Sequence, residues 1–356
     1  MQMGILGLPK AGKTTLFNLL TASSEATDKY AQSQEAHVAQ ARVPDVRLEK
    51  LRDLFNPKKY MPANVQFVDI PGMQRGQGSD NLDLVRLREV DALVHVVRAF
   101  DDSELLHPDG SVDAARDIAN VDMELILADL ELVERRLERL TQSSKRGLRS
   151  EEERERELLQ DRVVPALENE TALREVNLSG EDEKLLRGFQ LLSAKPLLIV
   201  LNVNEGDLSE DPNALLAESN REGARVVVMS APIEEEISQL DAGEASEFLG
   251  DLGLEEPSID RVIRASYELL GRISFFTVGE DEVRAWTIRR NTAAREAAGA
   301  IHSDIERGFI RAEVVAWDLL LERGSLATCR DQGELRLEGK EYVVNDGEVM
   351  HFRFNV

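Results

Sequence analysis

The stretch MQMGILGLPKAGKTTLFNLL, residues 1–20, decides how the rest of the chain is read. An apolar run from Met3 to Leu8 breaks into a glycine-flanked turn. An amphipathic segment, Lys13 to Thr21, follows at once, so strand, loop and helix are laid end to end. Gly7 to Thr14 fits GxxxxGK[ST], the phosphate-cradling loop, in the strand-then-helix setting that the pattern needs. A polyphosphate asks for many N–H donors on one concave surface, and Gly7 and Gly12 free the backbone to wrap that closely. The helix start adds partial positive charge, Lys13 is expected on the β and γ phosphates, and the Thr14 hydroxyl is expected on Mg²⁺. A glycine turn with a chance lysine is the plainer alternative, so partner motifs have to be found elsewhere in the chain.

Those partners are present. VQFVDIPG (65–72) is an apolar strand ending in a DxxG pattern, which places the Asp69 carboxylate to hold Mg²⁺ through water and the Gly72 N–H to meet the γ-phosphate. Directly after the strand PLLIVL comes Asn202-Val203-Asn204-Glu205. In guanine-specific proteins of this class the turn reads NKxD, and its aspartate accepts two hydrogen bonds from the base. Val203 and Glu205 stand at the altered positions. A carboxylate longer by one methylene leaves a buried polar group mismatched, at a cost of about 1 to 3 kcal/mol, enough to shift base preference. Ser230-Ala231, after the next strand, fits the loop that completes a base pocket.

Composition limits the remaining possibilities. The 356 residues call for two or three domains, and 42% apolar with 31% charged residues describes a globular chain with no membrane-length apolar run. The first strand begins straight after Met1, which leaves no room for a targeting segment, and a cytoplasmic location is the expectation. A net charge of −24 argues against binding nucleic acid through the whole surface, though not through a local basic face. Cys329, the single cysteine, reads as a packed thiol.

The fold class that emerges is α/β, a P-loop parallel sheet with an inserted helical hairpin, followed by a small α+β module of the β-grasp kind. Residues 1–118 and 195–271 read as the sheet domain. Residues 119–194 read as the insert, where Met123, Ile126, Leu130, Val133, Leu137 and Leu140 form a coiled-coil stripe, 141–152 the hairpin tip, and Pro165 a kink or interruption in the returning helix. Residues 272–356 read as the terminal module. Its aromatic and basic residues, such as Phe275, Phe276, Trp286, Arg289 and Arg290, suggest an RNA-facing surface, but acidic residues outnumber basic ones there and buried aromatics are the commoner case. His302 reads as a loop hydrogen-bonder.

Taken together, GLPKAGKTT, VDIPG, the NxxE turn, the inserted hairpin and the closing EVRAWTIRRNTAAREAAGAIHSDIERGFIRAEVVAW resemble the YchF or Obg-like ATPase family over essentially the whole chain. The terminal module is similar to that family's TGS-like domain. The resemblance implies a Mg²⁺-dependent hydrolase that prefers ATP to GTP and associates with the ribosome or translation machinery. By position, Gly7, Pro9, Lys10, Ala11, Gly12, Lys13, Thr14 and Thr15 would hold phosphate and metal, Asp69 and Gly72 would sense the γ-phosphate, and Asn202, Val203, Glu205, Ser230 and Ala231 would surround the base. Lys13, Asp69 and Gly72 would carry the catalysis.

Several positions depart from the family pattern. Met73 follows the DxxG where Ras-like enzymes keep a water-orienting glutamine, which predicts slow unaided turnover. Lys10 stands where family members carry an asparagine that in related proteins helps bind K⁺, so either its ammonium stands in for that ion or it points to solvent. Ser33 is a weak match for the switch threonine. Two alternatives accompany the main reading: an Obg-type GTPase, and a nucleotide-binding scaffold with little turnover.

Overall fold

The computed structural model describes residues 1–22, 38–70, 82–144, 149–208 and 225–355. In chain order the first elements are β1 (Gln2–Leu6), α1 (Lys13–Ala22), β2 (Val38–Arg42), α2 (Val46–Phe55), β3 (Lys59–Met61), β4 (Asn64–Asp69), α3 (Leu82–Glu89) and β5 (Ala92–Ala99). The insert follows as α4 (Ala114–Ser144), α5 (Ser150–Leu158), a π-helical turn (Leu159–Val163), α6 (Val164–Glu168) and α7 (Gly180–Leu186). Then come β6 (Leu197–Val203), β7 (Arg225–Met229), α8 (Ala231–Ile237), α9 (Ala242–Asp251) and α10 (Ser258–Leu269). The last stretch holds β8 (Arg272–Thr277), β9 (Glu282–Arg289), α11 (Ala294–Ile301), α12 (Ser303–Arg307), β10 (Phe309–Ala316), α13 (Trp317–Arg323), α14 (Leu326–Asp331), β11 (Arg336–Glu338) and β12 (Glu348–Phe354). By packing, the chain divides into two compact units, residues 1–40 with 66–265, and residues 41–65 with 266–356.

The first unit is organised by a sheet in the order β2-β4-β1-β5-β6-β7, parallel from β4 through β7. Its central strands are apolar on both faces, as strands covered by helices on each side must be, and every residue of β6 is buried. The strands point the same way, so β1, β4, β6 and β7 all deliver their following loops to one carboxyl edge of the sheet. Ligands bind at that edge in open α/β sheets.

The insert is a hairpin with an apolar seam. Ile126, Val133 and Leu140 of α4 are buried against Leu158, Leu159, Val163 and Leu167 of the returning helix, with Leu130 and Leu137 half-buried beside them. Pro165 lacks an N–H, and its ring would strike the carbonyl four residues back in a regular helix. The chain answers with the π turn, in which the Val164 N–H bonds back to the Leu159 carbonyl, so the helix is widened before the proline and not broken. At the root of the hairpin the fully buried Asp129 accepts hydrogen bonds from Leu192 N (3.0 Å), Ser193 N (2.7 Å), Ser193 Oγ (2.8 Å) and Arg88 Nη1 (2.9 Å). That one carboxylate ties α4 to α3 and to the exit of the insert.

The second unit has its own sheet, in the order β11-β10-β12-β8-β9-β3. Ala294, Ala297 and Ala298 of α11 are small enough to bring that helix close against Phe275, Ile288, Met350 and Phe352. Phe275 and Phe276 have no exposed surface, so they are core residues and present no stacking platform for RNA. His302 accepts a hydrogen bond from Asp304 N at 3.1 Å and starts α12, the loop role read from sequence. Cys329 is buried, and burial pushes its thiol pKa up. Residues between β2 and β4 join this unit: Tyr60 of β3 pairs with Val283 of β9, and Arg47 of α2 reaches Asp346 at 2.8 Å. Among the described residues no helix is long and apolar enough to cross a membrane.

Candidate functional site

The phosphate-type loop leaves β1 at Gly7, whose φ is 147°, and closes at Gly12, whose φ is 101°. Side chains are excluded at both. A methyl group on Gly7 would lie 2.3 Å from the Val96 carbonyl oxygen, and one on Gly12 would lie 2.4 Å from Asn202 Nδ2. Lys10 holds a φ of 66°, a left-handed conformation that asparagine tolerates better than lysine, and its side chain is exposed, as is Pro9. Ala11 is buried.

Lys13 opens α1 and is 9% exposed. Its Nζ folds back to donate to the carbonyls of Gly7 (3.0 Å) and Leu8 (2.8 Å). Burial pulls its pKa below the ordinary lysine value, and the field of Asp69 opposes that shift only in part. The arrangement is a desolvated cation resting on neutral oxygens at the mouth of a helix, which a polyanion would relieve. Asp69 ends β4 opposite Ile5 in the ladder. Thr14 is exposed and Thr15 half-buried on the first turn of α1. Gly72, Met73 and Ser33 lie outside the described residues.

Asn202 sits at the end of β6, 3% exposed. Its Nδ2 donates to the Ala11 carbonyl (3.1 Å), and its Oδ1 accepts from the Ala231 N–H (3.0 Å). Both ends of the amide therefore brace the phosphate loop against the turn between β7 and α8, where Ser230 is also buried. Val203 is 1% exposed and its side chain joins the core of the sheet, so only its backbone can reach the crevice. Asn204 and Glu205 are exposed, Glu205 as the first residue of a short 3-10 turn ending at Asp207. Of the four residues in this turn, the last two have exposed side chains, and Asn204 Nδ2 donates to Asp207 Oδ2 at 3.4 Å.

Three polar residues that the sequence reading passed over shape the same unit. His95, 1% exposed on β5, lies under the loop, its Cδ2 3.5 Å from where a Gly7 methyl would stand. Arg98 is buried and holds the chain after β5 by donating to the carbonyls of Phe100 (3.1 Å), Asp102 (3.2 Å) and Leu105 (2.8 Å). Further on, His107 Nδ1 accepts from Asp109 N (3.1 Å), which leaves Nε2 as the donor to Asp117 Oδ2 (2.8 Å). A tautomer fixed by a carboxylate is an arrangement suited to proton transfer. Arg116, 2.9 Å from Asp117 and 4.0 Å from Asp109, already supplies the positive charge that a metal ion would bring to this group. Irregular chain separates these partners, and no spacing in the sequence announces them.

Two family models match the chain: YchF-GTPase_C, described as a protein of unknown function (DUF933), over residues 272–355, and MMR_HSR1, described as a 50S ribosome-binding GTPase, over residues 2–133. The Ribosome-binding ATPase YchF of Bacillus subtilis (strain 168) is 45% identical over 99% of each chain. The chain belongs to the YchF family. The Obg-like ATPase 1 of Oryza sativa subsp. japonica is 36% identical, covering all of this chain and 92% of the rice protein. The solved structure of the Schizosaccharomyces pombe YchF GTPase superposes with a TM-score of 0.89 at 32% identity, covering 99% of this chain and 97% of the yeast one. The likeness to YchF proteins spans both units, so the P-loop domain and the C-terminal sheet are parts of one family architecture.

Proposed function

We propose that this chain is a cytoplasmic, Mg²⁺-dependent nucleoside triphosphatase that takes ATP in preference to GTP and acts on the ribosome. The observation that carries the reading is Lys13, a buried cation whose Nζ donates to the Gly7 and Leu8 carbonyls, at the start of a helix and beneath a loop that admits no side chain at Gly7 or Gly12. Gly7, Gly12, Lys13 and Thr15 take the phosphates. Thr14 and Asp69 would supply hard oxygen donors, the ligand type Mg²⁺ prefers, and the ion when bound would neutralise phosphate charge.

Adenine preference is assigned to Glu205 with the exposed Asn204, while Asn202 positions the loop they spring from. Glu205 is exposed and so is open to a base, and its extra methylene relative to aspartate supports the adenine reading. Ribosome association comes from the relatives named ribosome-binding, and contact with RNA falls to exposed arginines of the second unit such as Arg289 and Arg290.

The test is competition between ATP and GTP at equal concentration, with and without Mg²⁺, followed by single-turnover product formation with protein in excess. ATP preference with product formed supports the reading. A strong GTP preference returns the chain to the Obg-type GTPase reading, in line with the fission-yeast relative being named a GTPase, and ATP left intact makes it a scaffold. Exchanging Na⁺ for K⁺ in the same assay decides Lys10: an ammonium that replaces the ion predicts indifference, and strong activation by K⁺ overturns that role. Cosedimentation with ribosomes in the presence of each nucleotide checks the partner.

A further inference from the structure

In the second unit β12 outruns its neighbour. Its ladder pair with β8 is Val349 opposite Phe276, just past the bond from Gly347 N to the Ser274 carbonyl (2.8 Å), and β8 stops at Thr277. On the other side β10 stays paired with β12 out to Phe309 opposite Phe354. Met350 falls beside Thr277, the last residue of β8, so residues 351–354 have a strand on one side and, among the described residues, none on the other. That edge opens into a cavity of about 380 Å³, walled by Thr277 and Val278 at the end of β8, Ile301 and Ile305 from α11 and α12, and Leu326 and Leu335.

The polar side of the cavity is unequal in charge. Glu313, 5% exposed on β10, accepts from His351 Nδ1 (2.9 Å), from Arg353, and from Arg330 (3.4 Å). One carboxylate thus faces two arginines and a histidine, and the side chains of Arg330 and Arg353 remain 60% and 51% exposed. This local excess of positive charge sits on a chain whose net charge is −24.

We propose that the notch binds an extended acidic peptide segment of a partner protein, which pairs with β12 along residues 351–354, seats an apolar side chain in the cavity and sets a carboxylate against Arg330 and Arg353. An unpaired strand edge offers alternating N–H and C=O groups at a spacing that another extended peptide matches. An RNA strand can satisfy the arginines but has no peptide backbone to continue the ladder. The apolar walls take the same view, since they reward a buried aliphatic or aromatic side chain and give a phosphate nothing.

The test uses the full-length protein and displayed random heptapeptides. The expected outcome is enrichment of sequences that combine acidic and apolar residues. A synthetic peptide of the selected sequence should bind in fluorescence anisotropy, slow hydrogen exchange at residues 351–354, and lose about tenfold or more in affinity when its backbone is N-methylated at alternate positions. Arg330→Gln with Arg353→Gln should weaken the same peptide, with a melting curve confirming that the variant is folded. N-methylation acts on the peptide alone, so the pairing is tested even if the variant unfolds. Failure to enrich such a sequence, equal binding of the N-methylated peptide, or displacement of nothing but single-stranded RNA from the surface would each overturn the proposal. None of these readouts depends on nucleotide, so the proposal stands or falls apart from the triphosphatase reading.

Discussion

Each unit carries an inward-facing cation, and the two behave in opposite ways. Lys13 rests on two carbonyl oxygens, and burial drives its pKa down. Arg47 is desolvated as well, yet hydrogen bonds to Asp45 (2.9 and 2.8 Å) and Asp346 (2.8 Å) outweigh that, and its pKa is raised. Arg47 also lies 5.4 Å from the centre of the Phe276 ring. A charge that already has its counterions contributes to the fold. A charge left on neutral dipoles burdens the fold, and the burden is useful where an anionic ligand is to be bound.

The comparison can be broken at a third position. Arg88 belongs to the same unit as Lys13 but is paired, at 2.9 Å, with the fully buried Asp129, and its other donors reach the carbonyls of Ala128 (3.1 Å) and Gln190 (3.2 Å). If pairing decides the outcome, Arg88→Ala leaves a buried carboxylate short of a partner and should cost about 3 to 5 kcal/mol of stability. Denaturant unfolding measures it. A loss under about 1 kcal/mol would show that location, and not pairing, separates Lys13 from Arg47.

Lys13 and Arg47 themselves should give crossed results. Lys13→Ala is expected to cost about 2 to 5 kcal/mol of triphosphate binding, while leaving the stability of the nucleotide-free protein equal or higher because an uncompensated buried charge is gone. Arg47→Ala should do the reverse, removing about 2 to 3 kcal/mol of stability with nucleotide affinity unchanged. Isothermal titration with ATP and thermal melts on both variants complete the square. Wild-type ATP affinity in Lys13→Ala would refute the role assigned to that residue.

The contrast also explains what could be read in advance. The phosphate loop was legible because its requirements are local: glycine where φ is positive, a lysine at a fixed offset, a strand before and a helix after. The apolar strand runs and the seam of Ile126, Val133 and Leu140 were legible for the same reason, since periodicity is written in consecutive residues. Asn202 was read as facing the base, and the structure spends both ends of its amide on Ala11 and Ala231, partners that no spacing reveals. The hold of Arg47 on Asp346, the addition of β3 to the edge of β9, and the pairing of His107 with Asp117 are likewise products of tertiary placement. Pro165 shows the intermediate case: the sequence located the disturbance, but the π turn that absorbs it depends on the seam holding the helix in place.

The smallest expected effect is the one that isolates charge from shape. Burial sets the folded-state pKa of Lys13 below that of the unfolded chain, so the unfolded state binds more protons as pH climbs through the alkaline range. Compared with Lys13→Ala, stability of the nucleotide-free protein should therefore rise between the lowered Lys13 pKa and the ordinary lysine value, a difference from which the raised pKa values of Cys329 and Tyr267 and the lowered one of Lys195 cancel because both proteins share them. Triphosphate affinity should move the other way, falling once the ammonium begins to deprotonate, and at a lower pH than an exposed lysine would allow. Lys13→Arg keeps its charge across that window, so its affinity, although reduced by the misfit of a planar fork in a site shaped for a compact ammonium, should be flat where the wild type declines. Parallel slopes for the two proteins would mean that the decline belongs to some other group, and that the cation beneath the loop was never the one the phosphates respond to.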